Sequence, residues 1–239
     1  MADGAILLAG GSGSRMKGAV SDKVLVRLFG LPVILHSFRA FLRSGAVGEI
    51  VFVCRDDAQM SKIKSAIKRH FPKSSKKLSV FYVYGGKERG DSVINGLEAL
   101  SDKQGLAFIH DGARPMLRAE NILRLGEIAR RDGAAVLASR VVDTVKRLSK
   151  ASLSLSKCEL EDLDRSRLWA MQTPQVFRAG AILKAYKAAK RAKLALTDDV
   201  AAASSAGIAV SIVENEFANP KITVPEDLAY IEFLKKGKK

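Results

Sequence analysis

An apolar run, Ala5 to Ala9, opens onto Gly10, Gly11 and Gly13, with Arg15 behind them and Lys23 further on. Glycines let the backbone take positive φ and leave no Cβ in a ligand's way, so successive N–H groups can turn inward as an anion nest. Two cations beside such a nest suit the triphosphate of a nucleotide. Alone, such a run is more often a surface turn carrying two solvated cations, and the residues downstream are what reverse that reading. Two commoner phosphate loops are excluded. A dinucleotide fingerprint needs a very small residue where Met16 stands, and a Walker loop needs Lys-Ser/Thr where Gly18 is followed by Ala19 and Val20.

Further polar groups follow later apolar runs. Leu106 to Ile109 leads into His110-Asp111-Gly112-Ala113-Arg114-Pro115, delivering an acid and a guanidinium to the edge where the glycine loop lies. The turn Gly85-Gly86-Lys87-Glu88-Arg89-Gly90-Asp91-Ser92 opens a helix whose N–H groups suit a base edge, a ribose or a phosphate. Arg165, a turn Gln172-Thr173-Pro174-Gln175, the cap-like Thr197-Asp198-Asp199 and the loop Asn219 to Thr223 complete the set. Each also has a plain reading: Thr197 capping a helix, Asp111 capping or pairing with Arg114, and Lys221 a solvated loop cation.

Something must hold these groups in place. Strand-like runs occur at Ala5–Ala9, Glu49–Cys54, Leu78–Val83, Leu106–His110, Ala134–Ser139 and Val210–Val213. Amphipathic segments lie between them, among them Pro32–Arg43, with Pro32 in the first turn, Ala181–Leu194 and Pro225–Lys235. Alternating strands and helices predict an α/β domain, a mostly parallel twisted sheet with helices on both faces. Ligands of such sheets sit at the carboxyl ends of the strands where strand order reverses. The stretch from Val141 to Leu168 breaks the pattern. Alternation near Ser152 to Ser156 predicts a β hairpin too small to bury itself, and hence a projecting arm that packs on a second copy of the chain.

Composition sets outer limits. The 239 residues, 47% of them hydrophobic, suffice for one domain spanning 1–239 with the arm as an excursion. No apolar run approaches the ~20 residues of a membrane span and the start lacks a cationic leader, so no membrane association and a cytoplasmic location are expected. Cys54 and Cys158 lie at no metal-ligand or Cys-x-x-Cys spacing, and Cys54 reads as a small buried hydrophobe. The net charge of +15 is spread along the chain, with aromatics only 6%, too few for the stacking platforms of single-strand nucleic-acid modules. The charge therefore reads as solvated surface and a general pull on small anions, with no nucleic-acid partner expected.

Taken in order, Leu8-Ala-Gly-Gly-Ser-Gly-Ser-Arg-Met16, Gly85-Gly-x-x-Arg-x-x-Ser-Val93, His110-Asp-Gly-Ala-Arg-Pro115, Val142-Asp-Thr-Val-Lys146, Gln172-Thr-Pro-Gln-x-Phe177, Thr197-Asp-Asp199 and Asn219-Pro-Lys-Ile-Thr-x-Pro-x-Asp227 resemble the 2-C-methyl-D-erythritol 4-phosphate cytidylyltransferase family over nearly the whole chain. The resemblance implies a nucleotidyltransferase fold, an arm that forms a homodimer, and transfer of CMP from CTP to methylerythritol 4-phosphate with release of pyrophosphate, a step toward isoprenoid precursors. It implies Mg²⁺ bridged by the triphosphate, with no side chain assigned as a metal ligand. Arg15, Lys23, Arg165 and Lys221 would be catalytic. Ala9, Gly10, Gly11, Gly86, Ser92, Asp111 and Gly112 would bind the nucleotide. Asp111, Arg114, Arg165, Thr197 and Lys221 would bind the acceptor, with Thr144 reaching in from the partner's arm.

The chain departs from the family's pattern in three places: Asp22-Lys23-Val24 where Pro-Lys-Gln is usual, Lys87 in place of an acid, and Pro220 at a variable position. A cytidylyltransferase for another polyol phosphate, such as ribitol 5-phosphate, is the nearer rival reading. A non-catalytic basic protein that binds nucleic acid is the remoter one.

Overall fold

The computed structural model describes residues 2–10, 22–74, 78–149 and 158–236. Its frame is a seven-stranded sheet built from β1 (Gly4–Leu8), β4 (Glu49–Cys54), β5 (Ser79–Tyr84), β6 (Leu106–Asp111), β7 (Ala134–Arg140), β10 (Trp169–Arg178) and β11 (Ser211–Glu214), in the order β11-β7-β10-β6-β1-β4-β5. All neighbours are parallel except β10, which runs antiparallel to both β6 and β7.

Side-chain alternation splits the core in two. On β1, Ala5 and Leu7 face one side and Ile6 and Leu8 the other; Phe52 on β4 and Phe108 on β6 join the first set, Val53 and Ile109 the second. Both faces are apolar because helices cover both. The first face carries α1 (Val33–Ser44), α2 (Asp57–His70), α4 (Ala119–Asp132) and α7 (Glu226–Lys236); the second carries α3 (Arg89–Ala99), α5 (Ala179–Arg191) and α6 (Asp199–Ser205). Cys54 is wholly buried in the first core, and burial pushes its thiol up to about 11, so it behaves as a hydrophobe. Among the described residues no helix is long and apolar enough to cross a membrane.

The six strands expected from apolar runs all form, within one residue at either end. The principal correction is β10. Gln172 to Gln175 is not a connecting turn: it lies inside this ten-residue strand, where the register to β7 shifts between Met171 and Gln175 and a cis Thr173–Pro174 bond sits in the irregularity. A bulge admits Pro and polar residues into a strand interior, which is why the pattern read as a break. Pro32 pairs in a two-residue strand, β3 (Leu31–Pro32), against β2 (Arg27–Leu28), and stands just before α1 instead of in its first turn. Helix α5 ends at Arg191, short of Leu194, because Lys193 takes φ 53°.

The arm is a hairpin of β8 (Lys146–Leu148) and β9 (Leu160–Asp162), extended by a bond from Ser149 N–H to Glu159 O of 3.2 Å. Ser152 to Ser156, where the hairpin was expected, lie outside the described residues.

Candidate active site

From β1 the chain builds outward through β4 to β5, then returns to lay β6 on β1's other side. Strand order therefore reverses between β1 and β6, and the loops that leave their carboxyl ends diverge to opposite sides of the sheet, the place where such sheets bind ligands. Leu8 pairs with Asp111 there, and Gly112 N–H donates to Leu8 O at 2.9 Å. A Cβ on Gly112 would stand 2.8 Å from that oxygen and 2.9 Å from Ile34 Cδ1, so only glycine allows the two strand ends to approach.

Three chain segments meet on this edge. Lys221 Nζ donates to Asp111 Oδ2 at 2.7 Å, Arg114 Nη1 donates to Asn219 O at 2.8 Å, and Ile222 N–H donates to Ala113 O at 2.9 Å. The loop 219–222 is thereby zipped onto the end of β6. Lys23 Nζ reaches the same loop, donating to Ile222 O at 3.0 Å. Two of the three expected phosphate cations thus share one wall; Arg15, like Gly11, lies outside the described residues.

Asp111 is the electrostatic hub. Besides Lys221 it has Arg89 at 3.6 Å and Arg114 at 3.9 Å. Burial opposes its charge, but the three cations outweigh that and hold its carboxyl well below the usual range. Arg89 in turn clamps Asp199 with two parallel bonds of 2.7 and 2.8 Å, and Tyr186 donates to Asp199 at 2.5 Å. Asp199 is 0% exposed and Arg89 is half-buried, so the fork is held in one geometry on a carboxylate that water does not reach. Burial works against Arg89's charge, yet the paired carboxylates raise its affinity for its proton above the ordinary value. Arg114 Nε is buried and makes no hydrogen bond, its nearest carboxylate being Asp111 Oδ2 at 3.9 Å.

A neutral chain supports the hub from behind. Asp111 N–H donates to Thr173 Oγ1 at 3.1 Å, and that hydroxyl lies 3.0 Å from His110 Nδ1, while His110 Nε2 lies 3.0 Å from Ser37 Oγ. Ser37 donates onward to Arg114 O at 3.1 Å. The pattern makes Nδ1 the acceptor and Nε2–H the donor, and burial lowers this imidazole to about 4, so it stays neutral.

On the nucleotide side, Ala9 and Gly10 both donate to Val53 O, at 2.9 and 3.1 Å. Across β4, Gly85 N–H donates to Cys54 O at 2.7 Å and Gly86 N–H to Ser92 Oγ at 3.1 Å. Ser92 thus pins the turn, its hydroxyl donating to Glu88 O at 3.2 Å. A Cβ on Gly86 would come within 2.2 Å of Asp91 Cβ. Gln59, in the first turn of α2, bonds Ala9 O at 3.1 Å and Asp22 Oδ2 at 2.7 Å, fastening the segment before Lys23 to the end of β1. Asp22, a departure from the family pattern, is therefore the anchor of that segment.

Three expected residues stand apart from this network within one chain. Arg165 is exposed on the arm and donates to Val142 O at 2.6 Å, and Thr144 is exposed on the same arm. Thr197 is exposed before α6, which Asp198, not Thr197, caps by accepting from Ala201 N–H at 2.9 Å. Arg89, Asp199, Gln59 and Thr173 carry structural roles at the site that their motifs did not reveal. For Arg89 the one available signal was a guanidinium opening a helix straight after a glycine turn.

Among the described residues no cluster of three or more His, Cys, Asp or Glu could hold a metal ion. The wall is cation-rich, so what its side chains can hold directly is an anion such as a phosphate oxygen.

Comparison with known proteins bears on the chain as a whole. A family model described as 2-C-methyl-D-erythritol 4-phosphate cytidylyltransferase matches residues 4–236. The enzyme of that name from Pelotomaculum thermopropionicum is 38% identical over 98% of this chain and 94% of its own, and that from Alkaliphilus metalliredigens is 37% identical over 93% and 88%. Among solved structures, 4-diphosphocytidyl-2C-methyl-D-erythritol synthase from Anaerococcus prevotii superposes with a TM-score of 0.82 at 27% identity, covering 98% of this chain and 96% of that one. The Thermus thermophilus cytidylyltransferase superposes with a TM-score of 0.74 at 27% identity, covering 97% and 98%. On this sequence and fold, the chain belongs to the 2-C-methyl-D-erythritol 4-phosphate cytidylyltransferase family.

Proposed function

We propose that the cleft between the ends of β1 and β6 carries out the family's reaction, transfer of CMP from CTP to 2-C-methyl-D-erythritol 4-phosphate with release of pyrophosphate, through direct attack of the acceptor phosphate on the α-phosphorus. Two anions must meet, so the protein's work is positioning and charge neutralisation. Lys221 and Lys23, together with Arg15, supply positive charge to the triphosphate and the crowded α-phosphorus. Asp111 holds Lys221 in place through the 2.7 Å pair, and Arg114 adds its charge on the acceptor side. Ala9, Gly10, Gly86 and Ser92 form the base and ribose side. Mg²⁺, bound through the triphosphate, would withdraw charge from the leaving pyrophosphate. The observation that carries the reading is the 2.7 Å Lys221–Asp111 pair at the strand-order reversal, with Lys23 tied to the adjoining residue.

We also place Thr144 and Arg165 in a partner's site through a homodimer. Val142 and Leu160 on the arm are 81% and 58% exposed, and a hairpin of three-residue strands does not hold such residues in water unaided. A second arm would cover them and carry both polar residues toward the neighbouring cleft.

The test is pyrophosphate release with CTP and Mg²⁺, run in parallel on methylerythritol 4-phosphate and ribitol 5-phosphate. Turnover on the first at the higher kcat/KM is expected; faster use of ribitol phosphate would move the acceptor assignment.

A further inference from the structure

A second cluster of positive charge lies in a cavity of about 350 Å³ framed by α1, the segment Pro115–Arg118 and the end of α7. Arg39, Arg43, Arg118 and Lys235 line it, and the one carboxylate among the lining residues is the exposed Glu120. No ion pair of the described residues neutralises any of the four cations. That is unlike the strand-end cluster, where Lys221 and Arg89 both have carboxylate partners.

The centre of the cluster is organised by a neutral group. His36 is 3% exposed, and its Nε2–H donates to Leu28 O at 2.8 Å, which leaves Nδ1 as an acceptor. Arg39 Nη2 approaches that nitrogen at 3.1 Å and Lys235 Nζ at 3.3 Å. Burial and then the Lys235 charge lower His36 to about 4, so it holds two cations without cancelling either. Burial and then neighbouring arginines also work against the charges of Arg39 and Lys235. Arg39 and Lys235, half-buried and converging on His36, have no carboxylate partner among the described residues, while Arg118 stacks on Phe217 at 3.4 Å and Arg43 stands exposed at the rim, so the missing counter-charge is one that a small anion supplies. The first turn of the fourteen-residue α4 adds N–H groups of the same sign.

We propose that this cavity is a second anion-binding site, separate from the cleft between β1 and β6, which takes a small phosphate-bearing molecule, orthophosphate or pyrophosphate. Its volume is at the lower end of small-molecule sites, large enough for one such group with its remaining water.

Calorimetric titration of the full chain with inorganic phosphate, and separately with pyrophosphate, tests this after the strand-end cleft has been filled with 4-diphosphocytidyl-2-C-methyl-D-erythritol. One anion should bind per chain, and the tighter of the two names the species. The double variant Arg39→Gln/Lys235→Gln should weaken that binding by about tenfold or more, as expected for loss of charge-assisted bonds. Its turnover in phosphate-free buffer should stay at the parent level. The same titrations without product compare parent and variant directly, so a product that fails to occupy the cleft is told apart from an empty cavity. If the double variant does not fold, Arg43→Gln and Lys235→Gln singly should each weaken binding several-fold. No binding to the product-filled protein, or equal affinity in parent and variants, overturns the site.

Discussion

Two regions of this chain are built from the same kind of pair and behave oppositely. At the end of β6, Arg89, Arg114 and Lys221 interlock around two carboxylates, Asp111 and Asp199, that are themselves shielded from water. On the arm, Arg147 pairs with Glu161 and Lys146 with Asp162 in the open, at positions directly opposed across a hairpin of two three-residue strands. Burial makes the first set rigid and intolerant of loss, because removing one member strands the others without water. Exposure leaves the second screened and nearly neutral in energy. The first region can position a reacting group within one chain, whereas the second gains definition only when something covers it.

Breaking the buried set should have the largest effect. Arg89→Ala leaves Asp199 without its bidentate partner and Asp111 with one cation fewer, and should cost about 3–5 kcal/mol in urea denaturation. A loss below about 1 kcal/mol would mean that the network is no more than a surface pair. Lys221→Ala should lower kcat by about 10²–10³ while CTP affinity changes by only a few-fold, because its charge matters chiefly in the transition state. Equal losses in both would show that Lys221 binds the ground state alone.

Acidification probes the two buried imidazoles next, His110 behind the end of β6 and His36 in the second cavity. His36 and His110 both lie at about 4 in the folded chain against 6.5 ordinarily. The unfolded chain therefore takes up protons first, so their contribution is complete above pH 6.5 and is lost as pH falls toward 4. At pH 5 each should cost about 2 kcal/mol of unfolding free energy. Below about pH 4 the depressed Asp111 adds a loss of the same sign. A stability profile flat from pH 7 to 5 would contradict the neutral, buried state of both rings.

The arm should respond least to loss of its charges and more to loss of its apolar contacts. Arg147→Ala should leave the melting temperature within about 2 °C of the parent. Leu160→Asp should convert the proposed dimer to monomer in light scattering and lower turnover with it. A monomeric parent, or a Leu160→Asp dimer, would remove the arm from the proposed active site.

Much of this contrast was legible in the sequence. Short apolar runs ended by polar motifs located every parallel strand; the central ones are buried on both faces and so contain little but Val, Ile, Leu, Ala and Phe, while the edge strands β5 and β11 were found by their β-branched and aromatic residues. Strand β10 was not legible. Its polar Gln172-Thr173-Pro174-Gln175 segment serves the site, with Thr173 bonded to Asp111 and His110, and that service overrides strand periodicity. The Arg89–Asp199 clamp joins residues 110 positions apart, and Gln59 bonds Ala9 across 50. No local pattern encodes either partner.

The amino-acid order by itself determined the alternation of strands and helices, the glycines that permit close backbone approach, and which polar groups sit at strand ends, since each follows from a residue's own size, polarity and torsional freedom. Only the tertiary structure decided which charges meet. A buried ion pair is a property of distance and excluded water, and neither exists until separate segments have packed.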